Sequence, residues 1–207
     1  MDTATENKNT DGTQLDEQKI AEFGNQIWCT RVSRVNAEKR LKHKEAFADG
    51  LNIYYSCFTV ALSICLLFIQ DESLNKPLSA FSLIMTVIVT ICILYCKSLR
   101  YADRARGYKD NYTDLQQLEI SLKYITSIEE LKKIENEYCN LLKNGENHIP
   151  YDYYRTVFES NQSYKKTKDK WIPVKYCLKT LERYVIETVL ITFPVLVCVY
   201  FWVKRYG

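Results

Sequence analysis

The side chains able to do chemistry in this chain are few, and they do not converge. Of the two histidines, His43 sits among Lys39, Arg40, Lys42 and Lys44 with no nucleophile beside it, and reads as a solvated or headgroup-level residue. His148 precedes Ile149-Pro150 and reads as a turn residue. Five of the eight cysteines (Cys57, Cys65, Cys92, Cys96 and Cys198) fall inside apolar runs, where cysteine behaves as a small hydrophobe. Cys92 and Cys96 form the one short pair, and no histidine or carboxylate stands nearby to complete a metal set. The sequence has no G-x-S-x-G, no H-E-x-x-H and no phosphate-cradling glycine loop. We therefore expect neither an enzyme nor a metal or cofactor. A net charge of +3 is too small to suggest direct nucleic-acid binding. The sequons at Asn111 and Asn161 fall in a segment assigned below to the cytoplasm, where they carry no meaning.

The polar residues with a pattern lie inside apolar runs. Asn52, Ser56, Thr59, Ser63 and Gln70 recur at spacings that line one face of a helix, and Ser79, Ser82, Thr86 and Thr90 nearly do the same, pointing towards Lys97. Small polar side chains of this kind let membrane helices approach and hydrogen-bond. In an oligomer, the same face can instead line a watery path. Both readings stand together, since one stripe can pack while the other faces a lumen.

The runs that carry these stripes fix the fold class. Residues 50–70 and 77–96 hold no charged residue, and each has about the 20 residues a helix needs to cross roughly 30 Å of hydrocarbon. The connector Asp71–Lys76 is too short to do more than turn the chain back. A transmembrane hairpin over 50–96 follows. A third run, 184–203, is long enough to span as well, with Glu187 near its start, Pro194 in its middle, and Tyr200, Trp202, Lys204 and Arg205 as an interfacial anchor. Its alternative is a buried helix packed on the other two. Basic residues flank the hairpin at Arg31, Arg34, Lys39, Arg40, Lys42 and Lys44 before it, and at Lys97, Arg100, Arg104, Arg106 and Lys109 after it. The hairpin loop holds only Lys76. Lys165, Lys166, Lys168, Lys170, Lys175, Lys179 and Arg183 precede the third run. The positive-inside rule puts these flanks and the N-terminus in the cytoplasm, in contact with membrane lipid.

Outside the membrane, residues 1–14 read as a disordered tail. Residues 15–49 read as helix, with interruptions expected at Gly24 and Thr30 and an unbroken run from Val32 into the first span. The second span is expected to continue into the cytoplasm as one helix with a seam of Tyr101, Ala105, Tyr108, Tyr112, Leu115, Leu118 and Leu122. Ser127 to Glu130 has the form of a capping box, and the helix it opens should stop near Gly145. A short helix follows over 149–158, then a polar, Lys-rich loop over 161–170, with Pro173 announcing the last long helix. No stretch alternates like a strand. The expected fold is an all-α integral membrane protein: a transmembrane hairpin with long cytoplasmic helical extensions, a cytoplasmic helical bundle over 97–183, and a C-terminal third span.

This layout resembles a known family. A helix bearing Trp28, Arg31, Arg34 and Arg40-Leu41 enters a two-span hairpin. A long helix leaves it with Arg104, Tyr108, Tyr112, Leu115 and Leu118, and a turn with His148-Ile-Pro150 and Asp152 follows. Over roughly residues 20–160 the chain is similar to the SLATT family of bacterial two-transmembrane effector domains associated with nucleotide-signalling conflict systems. The resemblance implies an anti-phage, abortive-infection effector of the bacterial inner membrane. Such an effector oligomerises and forms a pore, or disrupts the membrane, when a partner senses infection. It implies a nucleotide-second-messenger synthase or a reverse transcriptase complex as the cytoplasmic sensor, and it transfers no ligand-binding residue. The basic collar of Arg31, Arg34, Arg40, Lys97, Arg100, Arg104 and Arg106 offers a mechanism, since its repulsion between subunits falls when a partner or an anionic surface neutralises it. The other reading is a non-conducting anchor that recruits a soluble enzyme.

Overall fold

A computed structural model describes residues 17–69, 72–160 and 170–206. The 1–14 tail, Gln70, Asn161 and most of the 161–170 loop, with Lys165, Lys166 and Lys168, lie outside the described residues. Six α-helices account for nearly all the rest: α1 (Glu17–Leu66), α2 (Glu72–Ser98), α3 (Tyr101–Ser121), α4 (Ile128–Asn144), α5 (Pro150–Glu159) and α6 (Ile172–Tyr206), with a 3-10 turn at Leu122–Tyr124. Among the described residues there is no strand.

Helix α1 is one continuous rod of 50 residues, about 75 Å long at 1.5 Å per residue. The interruptions expected at Gly24 and Thr30 do not occur. Gly24 instead lets α1 close onto the end of α3: a Cβ there would stand 3.1 Å from Leu122 Cδ2. Thr30 bonds back to the Gln26 carbonyl (3.0 Å) and across to the Tyr138 hydroxyl (2.9 Å), so its side chain ties helices together without breaking one. At the other end α1 stops at Leu66, short of Gln70. The Asn75 amide donates to the Ile69 carbonyl (2.9 Å), so the reversal takes in Leu67–Ile69 and most of the expected connector is already α2.

The second span does not run straight into α3, as the sequence suggested. Arg100 breaks it, with φ 48° and ψ 45° in the left-handed region. Register explains the break. Leu78, Ser82, Met85 and Val89 are the buried face of α2, while Ala105, Tyr108, Leu115 and Leu118 are that of α3. At 3.6 residues per turn, a straight helix would leave those two faces about a quarter turn apart, so both pack on α1 only if the chain swivels between them.

Three helices are long and apolar enough to cross a membrane, and only 11%, 17% and 6% of their apolar windows is buried, so those surfaces face outward. Large side chains such as Val60, Leu83, Ile91, Leu94 and Leu196 stand exposed along them, which in water would be untenable and in lipid is required. Phe81 near the start of α2 meets Phe201 near the end of α6, rings 6.3 Å apart, so the C-terminal end of α6 lies on the side of the hairpin turn. The other half of α1 packs with α3, α4 and α5 into a bundle. Its core has two parts: Ile27, Leu115, Leu118, Leu122, Ile134 and Tyr138 far from the hairpin, and Ala37, Leu41, Ala105 and Tyr108 nearer it.

Candidate functional site

The capping box forms as the sequence indicates. Ser127 Oγ accepts from the Glu130 amide (3.2 Å) and Glu130 Oε2 accepts from the Ser127 amide (3.3 Å), which fixes where α4 starts. Helix α4 stops at Gly145, and Pro150 opens α5. The Gly145–Ile149 connection between them is where the polar side chains of α1 and α3 converge.

Arg40 of α1 forms a two-pronged ion pair with Asp152 at the start of α5, Nε to Oδ1 2.8 Å and Nη2 to Oδ2 3.0 Å. Asp152 is 1% exposed, so the pair is desolvated and each half depends on the other. Asp152 Oδ2 also accepts the Ile149 amide (3.2 Å). One turn on, Thr156 is fully buried: its hydroxyl donates to the Asp152 carbonyl (3.0 Å) and faces Asn36 Nδ2 (3.0 Å) and Ser33 Oγ (3.1 Å). From the other side, Arg104 pairs with Glu146, and the Tyr108 hydroxyl donates to the Asn147 carbonyl (2.8 Å).

Arg34 is as buried as Asp152, 1% exposed. Its Nη1 and the Asn111 amide both donate to the Leu141 carbonyl, at 3.2 and 2.9 Å. That carbonyl is among the last four of α4, where the helix dipole is negative, so the dipole stands where a carboxylate would otherwise be needed. Nε and Nη2 of Arg34 and Oδ1 of Asn111 have no hydrogen-bond partner. Gly145 makes the approach fit: a Cβ there would lie 2.8 Å from Asn111 Nδ2, 2.9 Å from Arg34 Nη1 and 3.1 Å from Leu141 O.

The electrostatics follow from this packing. Burial, reinforced by Arg34, pushes the half-buried His148 imidazole below its ordinary value, against the smaller opposing pull of Asp152, so it is neutral at physiological pH. The hydrogen bond from Arg104 holds the Glu146 carboxyl below its usual range. Burial raises Tyr108 to about 12. No nucleophile is activated here. The arrangement is a clamp, in which two helices rooted beside the hairpin grip one turn through buried polar groups on one side and the exposed Arg104–Glu146 pair on the other.

Most of the collar arginines are already paired, three of them within this grip. Arg31 pairs with Glu119 (2.8 Å), Arg34 and Arg40 lie in the clamp, Arg100 pairs with Asp103 (2.8 Å) and Arg104 holds Glu146. Lys97 and Arg106 are exposed. Arg106 lines a groove of about 430 Å³ with Glu38, Lys42, Glu45, Lys109 and Asp110, where the two signs alternate. Of the seam, Tyr108, Leu115 and Leu118 are buried, while Tyr112 is half-buried beside Glu38 and Asn111 takes the inward position.

In the membrane both polar stripes contribute to one contact, and the rest of the second stripe faces outward. Thr59 and Ser82 are buried between α1 and α2, and Ser63 Oγ meets Ser82 Oγ at 3.3 Å. Asn52 and Ser56 are half-buried at the edge of the same contact. Ser79, Thr86 and Thr90 are exposed on the flank of α2, in line with Lys97. Their hydroxyls donate to their own helix: Ser79 to Asn75 Oδ1, Thr86 to the Ser82 carbonyl and Thr90 to the Thr86 carbonyl, each at 2.9 Å. No donor on that flank is left unsatisfied in lipid, while each oxygen keeps a free acceptor lobe.

Sequence reasoning did not single out Ser33, Asn36, Asn111, Glu146 or Thr156. The available signal was polar residues at core spacing: Ser33, Asn36 and Arg40 repeat at three and four, interleaved with Ala37 and Leu41.

Comparison with curated proteins and with solved structures finds no match. The family model of the SMODS and SLOG-associating 2TM effector domain family 5 matches residues 16–201, a stretch that takes in the hairpin, the clamp and nearly all of α6. The chain therefore belongs to SLATT family 5, the two-transmembrane effector domains of defence-associated systems.

Proposed function

We propose that this chain is the membrane-perturbing effector of an anti-phage, abortive-infection system. It resides in the bacterial inner membrane with its N-terminus and the clamp bundle (15–49 and 97–183) in the cytoplasm, its hairpin over 50–96 and its third span over 184–203. A cytoplasmic partner of the kind the family associates with releases the clamp. Copies then assemble through their hairpins and permeabilise the membrane without catalysis.

The observation that carries this reading is the division of polar residues between two surfaces. Thr59 of the first stripe and Ser82 of the second are buried inside the hairpin, where Ser63 meets Ser82 from the edge. The rest of the second stripe, Ser79, Thr86 and Thr90, runs along an outer flank down to Lys97, open to lipid or to a second molecule. Free acceptor oxygens on such a flank suit a path for water and cations. The clamp suits a trigger, since opening it exposes several buried groups at once and so favours two discrete states.

A non-conducting scaffold is the second reading. In its favour is the internal bonding of those same hydroxyls, which lets the flank rest in lipid or against a neighbouring helix. Replacing Ser79, Thr86 and Thr90 together by Leu separates the two readings. A conducting path loses ion flux while assembly, followed by crosslinking, persists. A scaffold keeps its defence activity. Unchanged flux and unchanged protection in the triple variant would rule out the flank as the lining.

A further inference from the structure

Helix α6 crosses beside the hairpin with a proline in its middle. Pro194 has no amide hydrogen, so the Leu190 carbonyl four residues earlier has no donor from its own helix, in a medium where water does not supply one. Helix α1 supplies it. The Tyr55 hydroxyl donates to the Leu190 carbonyl at 2.8 Å, and the neighbouring Tyr54 hydroxyl to the Ile191 carbonyl at 3.1 Å. The two rings brace each other edge-on, with centroids 5.7 Å apart. Tyr55 is 9% exposed and Pro194 is fully buried, so the Tyr55 bond forms in a closed contact, while Tyr54, 36% exposed, bonds at its rim.

Little else holds α6 at this depth. Beneath the contact, Glu187 faces His43 Nδ1 at 3.6 Å and Arg183 Nε at 3.7 Å. Far above it, Phe201 meets Phe81. Beside it lies an apolar groove of about 360 Å³, walled by Leu51, Met85 and Val89 of the hairpin and by Val189 and Phe193 of α6. The third span is thus seated by two hydroxyls more than by packing.

We propose that Tyr54, Tyr55 and Pro194 form a release latch that keeps the third span over the Tyr55–Met85–Val89 side of the hairpin and bars that side from other copies. Letting go uncovers it. The latch itself stands on the geometry alone. Its restraining role rests on the reading in the preceding subsection, which gives α6 no task.

The test uses the full chain in its native membrane, with Phe81→benzoylphenylalanine as a photocrosslinker reporting contact with α6. Tyr54→Phe/Tyr55→Phe should cut the crosslink yield, one interhelical hydrogen bond in a bilayer shifting the seated-to-free ratio by about 3- to 15-fold. It should also lower the expression level at which membrane potential collapses. Pro194→Ala returns an amide donor to the Leu190 carbonyl. In that background, Tyr55→Phe should change the yield far less than in the parent, a coupling that general misfolding would not produce. An unaltered yield in the double tyrosine variant, or an equal loss with and without Pro194, overturns the latch. A lost crosslink with the collapse threshold unmoved overturns the restraint. If the wild type with its trigger never depolarises the membrane, the preceding reading fails, and the crosslink yields still decide the latch.

Discussion

Gly145 has room for nothing larger than hydrogen, because Arg34 and Asn111 reach past it to the end of α4. Gly145→Ala should therefore cost about 1–3 kcal/mol, the usual range for overpacking, read as a lower midpoint of thermal unfolding in detergent. Arg40 and Asp152 make the sharper case. Arg40→Ala strands a carboxylate that is 1% exposed, and breaking such a pair costs about 3–5 kcal/mol. Arg34 is expected to behave differently, because no carboxylate depends on it and two of its nitrogens are unpaired. Arg34→Met should be far milder than Arg40→Ala in the same melt, and an equal loss would contradict the role of the α4 dipole. At Arg100 the left-handed backbone penalises branched side chains by about 1–2 kcal/mol. Arg100→Val should lower the unfolding midpoint, and Arg100→Gly should not.

At the scale of elements, the Gly145–Ile149 turn should respond to acid. The folded-state value of His148 lies below its ordinary 6.5, so the unfolded chain binds the proton first and stability rises with pH across that interval. The grip on the turn should weaken as pH falls through about 6.5 towards the depressed value, and His148→Gln should flatten that slope, as followed by hydrogen exchange of α5. Glu146, also held low, adds a loss only below about 4.5. Much of this architecture was legible beforehand. Uncharged runs named the spans, Ser127 and Glu130 named the start of α4, and Gly145 its end. Two features escaped for physical reasons. The swivel at Arg100 has no glycine or proline to mark it, and shows only in the register between the Leu78–Val89 face and the Ala105–Leu118 face. The inward turn of Asn111 in place of Tyr112 depends on an acceptor from α4, which local periodicity does not contain.

At the scale of the molecule, α1 joins the two halves, one rigid rod carrying clamp residues Ser33 to Arg40 and hairpin residues Asn52 to Ser63. Under the proposed function, a change in how α1 is gripped outside the membrane is therefore delivered to the hairpin without a flexible joint, whereas α2 and α3 are separated by the break at Arg100. The polar stripe of α2 was readable from spacing alone, but that Ser82 packs inward while Ser79, Thr86 and Thr90 face outward required the hairpin to be built. Under the proposed function, loosening the clamp opens the membrane. The most direct measurement is uptake of a membrane-impermeant dye by cells expressing Asp152→Asn, which keeps the shape of the side chain and removes the charge that Arg40 holds. The account predicts uptake and loss of membrane potential with no infection or partner present, at expression levels where the wild type is silent. Background uptake, from a variant that reaches the membrane in wild-type amounts with its grip on Arg40 demonstrably loosened, would contradict it.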